Sequence, residues 1–133
     1  MRVRSRAGVV LALAALLGGG CKTGTVAPVA GELTVNLTTP NADDGAILLK
    51  IAGSGGETVT SVTASCSGCR IFSGVVSGTE VRAVLTGTIA AGAVARVSVS
   101  DVNTPASYSV QILDVASRTY VRRATTGYSL TLQ

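Results

Sequence analysis

The chain has no histidine and no tryptophan. Without an imidazole there is no Ser-His-Asp triad and no histidine metal ligand. One phenylalanine and three tyrosines are the only aromatics in 133 residues, too few to stack bases along a nucleic-acid strand. Charge is scarce as well, with eleven Lys/Arg against seven Asp/Glu. No basic run exceeds Arg122-Arg123, so a phosphate-binding stripe is absent and no nucleic-acid partner is expected. There is no G-x-S-x-G motif, no D-x-D-x-D-G calcium loop and no second Cys pair. That removes the α/β-hydrolase nucleophile, the EF-hand site and the common zinc sites. No apolar run approaches the ~20 residues of a membrane-spanning helix.

What is present begins with residues 1–22, MRVRSRAGVVLALAALLGGGCK. Arg2, Arg4 and Arg6 form a positive start, residues 8–17 are apolar, and Gly18, Gly19 and Gly20 precede Cys21. A basic n-region, an apolar h-region of ~7–15 residues and small residues at a cleavage site are the order of a secretory signal. Removing its three arginines leaves eight basic against seven acidic residues, so the basic balance belongs mostly to the signal.

With Cys directly after the small residues, the segment resembles a bacterial lipoprotein signal with its lipobox. One position departs from that pattern: Leu17 stands four residues before Cys21, where the family places its aliphatic residue three before. The resemblance implies that residues 1–20 are a signal peptide and that Cys21 is the lipidated residue with an acylated amino terminus. It also implies a lipid anchor as the link to a membrane. Lys22, where family members kept at the inner membrane carry Asp, leans to the outer membrane in a Gram-negative host.

Residues 22–31, KTGTVAPVAG, have no apolar periodicity and read with Cys21 as a tether. Extended, ten residues reach roughly 33–36 Å. From residue 32 the chain alternates apolar and polar residues in short runs rich in Val, Thr and Ser, divided by Gly, Pro and Asp clusters. This is strand-and-turn patterning. Strands are expected at residues 32–39, 46–52, 58–65, 70–76, 80–86, 93–100, 108–115, 118–124 and 128–132, with residues 87–92 a small-residue connection. Leu48 breaks the alternation of the second strand, which suggests cover on both faces. Eight or nine evenly spaced strands and no helix after the signal predict a single all-β domain over residues 32–133. The architecture expected is an antiparallel β-sandwich with one wet face per sheet. The runs ELTVNLTTP, LTGTIAAG and VARVSVSD resemble cohesin-like and other immunoglobulin-like modules of bacterial secreted proteins, which are mostly non-catalytic and bind proteins or glycans.

Cysteine parity adds one constraint. With Cys21 lipidated, Cys66 and Cys69 remain as an even pair, and an exported chain is expected to bridge them. Positions i and i+3 of a β-turn lie within ~7 Å and a disulfide wants ~4.4–6.8 Å. A bridge clamping a hairpin is the expected reading. The competing one is a thiol–disulfide redox pair, which needs a helix N-terminus after the first thiol. Asp43 and Asp44, beside Asn41, read as a turn rather than a calcium site. Glu32, Glu57, Glu80, Asp101 and Asp114 are the carboxylates from which a glycosidase pair would have to come. Arg122 and Arg123, on successive strand positions, point to opposite faces and read as solvated edge charges. No cofactor, metal or catalytic residue is expected. The sequence reads as a lipid-anchored, non-catalytic envelope lipoprotein with a protein or glycan partner, and a periplasmic redox protein as the alternative.

Overall fold

A computed structural model describes residues 24–133, and everything below concerns these. The expected signal peptide at residues 1–20 and the expected lipidation site Cys21 lie outside the described residues.

The alternating runs form strands because Val, Leu, Ile and Thr fit a pleated surface that is covered on one side. β1 (Gly31–Thr38) turns Leu33, Val35 and Leu37 inward. β2 (Asp44–Gly53) does the same with Ile47, Leu49 and Ile51. They are followed by β3 (Val59–Ala64), β4 (Cys69–Ser77), β5 (Glu80–Ile89), β6 (Gly92–Val99), β7 (Tyr108–Ser117), β8 (Arg122–Arg123) and β9 (Ser129–Leu132). A single 3₁₀ turn, Pro105–Ser107, leads into β7. The strands make two antiparallel sheets, one in the order β3-β6-β1-β9 and the other β4-β5-β2-β7-β8. The core between them is Val, Leu, Ile and Ala, with Tyr108 its one aromatic. This is the antiparallel β-sandwich that the alternation predicts.

Three departures from the expected strands have local causes. β5 runs on to the fully buried Ile89, so only residues 90 and 91 connect it to β6. Gly87 permits this: it sits inside the strand at φ +115°, and a Cβ there would lie 2.3 Å from the Gly68 carbonyl oxygen. Residues 118–124 are expected as one strand, but only Arg122–Arg123 pair with β7. The chain first makes a tight turn in which Tyr120 N–H donates to the Ser117 carbonyl, and Tyr120 adopts φ +63°. Finally, Leu113 is an extra residue in β7, because Ile112 faces Leu49 while Asp114 faces Leu48. The bulge shifts the parity, so Tyr108 and then Val115 and Ser117 are buried while Asp114 points outward.

Candidate interaction face

The carboxylates named from the sequence do not converge. Glu57 accepts the hydroxyls of Tyr108 at 2.9 Å and Ser100 at 2.5 Å. Glu32 faces Arg96 at 3.9 Å, Glu80 holds Arg82 and Lys50 at 3.1 and 3.4 Å, and Asp114 holds Arg122 at 2.9 Å. Arg82 beside Glu80 and Arg122 beside Asp114 hold those carboxyls below their ordinary pKa. Asp101 is buried and accepts the backbone N–H groups of Val29 and Asn103 at 3.0 and 2.9 Å, which lower its pKa too. That contact also fastens the chain before β1. Val102 N–H donates to the Val29 carbonyl at 2.8 Å, and the Asn103 amide donates to Ala27. Attachment to the sandwich therefore starts at Ala27, before the first strand.

Asp43 and Asp44 meet a cation, and it is the protein's own. Asp44 is fully buried. Its Oδ1 accepts the Tyr128 hydroxyl at 2.6 Å and Arg123 at 3.2 Å, and its Oδ2 accepts the Thr39 hydroxyl at 2.5 Å. Arg123 also donates to both oxygens of Asp43 at 2.7 Å, which lowers the Asp43 pKa. The two arginines do point to opposite sides, as successive strand residues must. Arg122 is exposed, but Arg123 is only 22% exposed and closes a structural clamp, contrary to the expectation of two solvated charges. Among the described residues no group of His, Cys, Asp and Glu could hold a metal ion.

Cys66 and Cys69 form a disulfide, with Cα atoms 5.4 Å apart. It does not clamp a hairpin. β3 pairs only with β6 and β4 only with β5, so the bridge staples the corner where the chain leaves one sheet for the other. A strand, not a helix, begins at Cys69, so the helix dipole that lowers a redox thiol's pKa is missing.

The two outer faces differ sharply. On the four-stranded sheet the outward positions are Glu32, Thr34 and Asn36 of β1, Ser61 and Thr63 of β3, Arg96 and Ser98 of β6 and Thr131 of β9. On the five-stranded sheet, strand register sets Phe72, Val84 and Leu48 side by side, ending at Asp114. The neighbouring rows are Arg70, Thr86, Ala46 and Ala116, and Gly74, Arg82, Lys50 and Gln111. Phe72 is 64% exposed and Tyr120 94% exposed. Tyr120 stands between two shallow hollows. One of about 270 Å3 is floored by Leu48 and Val84 and edged by Arg122, and one of about 530 Å3 runs past Thr86 and Gly87 to Arg118. Arg70, unlike Arg82 and Arg122, has no carboxylate within 4.0 Å among the described residues. Leu48, expected to mark a strand covered on both faces, is instead half-exposed on this outer face, which no described element covers. Phe72, Val84 and Tyr120 gave no sequence signal, because their adjacency exists only once three strands are in register.

No protein family matches the chain, and no curated protein or solved structure matches it either.

Proposed function

We propose that this chain is a lipid-anchored envelope lipoprotein whose β-sandwich is a non-catalytic interaction module, working through the outer face of the five-stranded sheet. Anchoring is through Cys21, at the outer membrane if the host is Gram-negative, with acyl chains giving stable attachment. The observation that carries the module is the gathering of exposed apolar and cationic groups on one face, against hydroxyl groups on the other. Interfaces favour aromatic residues and arginine in this way. Tyr120 supports the same reading. Its left-handed backbone costs a non-glycine residue about 1–2 kcal/mol, yet nothing packs on its ring. Strain of this kind is a pointer to use at the surface. The partner expected is a protein or glycan surface that is apolar with acidic character.

Anchoring also bears on reach. Since the Ala27 carbonyl is already hydrogen-bonded to the domain, the five residues 22–26 that separate it from Cys21 reach at most roughly 17 Å if extended. The domain then sits close to the lipid rather than far above it.

The test is the intact mass of the protein taken from membranes, beside a Cys21→Ala variant. The wild type should carry diacylglycerol and acyl mass and partition with membranes, and the variant should be released. A wild type without acyl mass would end the anchoring claim. The Cys66–Cys69 pair serves as a second check. A reduction potential below about −300 mV marks a structural bridge, and one near the oxidising catalysts would favour the redox alternative.

A further inference from the structure

We infer that β4 pairs edge to edge with β4 of a second copy, antiparallel, about a two-fold axis through Phe72. β4 ends the five-stranded sheet, and among the described residues no strand covers its outer edge. The opposite end of that sheet is the two-residue β8. A long open edge presents unpaired N–H and C=O groups, and proteins usually blunt it with charge, proline or a very short strand. From Ile71 to Thr79 there is no charged residue and no proline. Phe72, Val75 and Val76 are all at least 60% exposed.

Symmetry and register fix how two such edges meet. The pairing of β4 with β5 is regular from Cys69 to Val75 and is then broken by an extra residue, Val76. The disulfide corner closes the other end. An isologous contact places residue i against j and j against i. Using the whole regular edge therefore centres it on Phe72, the middle of the run. Phe72 then meets its own copy on the outer face, Ile71 meets Ser73, and Cys69 meets Val75. Arg70 falls opposite Gly74, where an added side chain would meet nothing within 4 Å. The two copies of Arg70 stand about 13 Å apart along the strands, beyond the Debye length of ~10 Å, so they do not repel strongly. The pairing covers the exposed edge and its aromatic ring with no buried charge. Anchoring plays no part in it, so it stands or falls separately from acylation at Cys21.

The test uses the full chain carrying Cys21→Ala, which removes the third thiol. Phe72→Cys in that background places two thiols across the axis at the ~4.5–5.5 Å Cα separation of paired strands, within disulfide range. Mild oxidation should join copies at least about tenfold faster than in a Thr63→Cys control on β3, since proximity sets the rate. Equal rates for the two variants would overturn the proposal. In the Cys21→Ala chain itself, sedimentation should show a concentration-dependent dimer that Val75→Lys abolishes with the melting temperature kept. Should Val75→Lys fail to fold, Ser73→Lys serves, because Ser73 lies on the same open edge. A chain that stays monomeric up to millimolar concentration would refute the pairing, leaving a foreign extended strand as the edge's occupant.

Discussion

The two outer faces of the sandwich are built on similar strands but carry different chemistry. The four-stranded sheet shows water Thr34, Asn36, Ser61, Thr63, Ser98 and Thr131, with Glu32 and Arg96 as its one charge pair. Hydroxyl and amide groups on β-branched or short side chains keep a strand extended and hydrated without inviting a partner. The five-stranded sheet shows Phe72, Val84, Leu48 and Tyr120 among five cations and two carboxylates. Both faces cover the same core, so folding does not explain the difference. A sheet that needed only solubility would look the same on both sides.

The largest effect expected is at the end of the five-stranded sheet. Asp44→Ala should cost about 3 kcal/mol in chemical denaturation, because charge-assisted bonds to Arg123 and the Tyr128 and Thr39 hydroxyls are lost from a buried site. It should also loosen β8 and the Tyr120 turn, so the apolar face loses its edge. Thr63→Ala on the other face should stay within about 0.5 kcal/mol. If the two substitutions cost the same, the clamp does not hold that face together.

A smaller effect, of opposite sign, is expected at Tyr120. Tyr120→Gly should stabilise the protein by about 1 kcal/mol, since glycine adopts φ +63° without strain. The gain should come with weaker binding through this face. A loss of stability would mean that the tyrosine ring packs in solution.

The smallest and most gradual effect is with acid. Asp43, Asp101 and Asp114 have folded pKa values below their ordinary 3.8, and Glu80 below 4.5. A carboxyl whose pKa is lowered by folding contributes stability that is fully present above the unfolded value and is lost as pH falls through the folded one. Melting temperature should therefore be level from pH 7 to about 5 and fall below about 4. The three carboxylates on the side of the five-stranded sheet should release their arginines together in that range. A melting temperature that rises below pH 4 would contradict the assignment.

Much of the fold was legible in the sequence, and the reason lies in single residues. Leu33, Val35 and Leu37 alternate with polar residues, and β1 lies within one residue of its expected bounds. The same holds for β6 and β9. β5 runs past its expected end because Gly87, a turn residue by sequence, serves a strand that a neighbouring carbonyl approaches. The strand after Ser117 is shorter than its pattern suggests because nothing in ASRTYVRRA marks Tyr120 as left-handed. Arg123 looks like a surface charge in the sequence because its partner Asp44 lies 79 positions away. The proposed interaction face is equally invisible in the sequence. Leu48 suggests cover on both faces rather than an open one, and Phe72 meets Val84 only through the register of β4 on β5.

The central claim is that the five-stranded sheet's outer face is the one in use. Thr86 on that face and Thr63 on the other make a matched pair, since Thr→Cys is a small change at either. Each variant would be alkylated with a maleimide, once in intact envelope preparations and once as purified protein. The account predicts that Thr86→Cys reacts about tenfold more slowly in the envelope, as a desolvated contact should, while Thr63→Cys reacts at the same rate in both. Equal rates for Thr86→Cys in the two settings, or protection of Thr63→Cys instead, would contradict it.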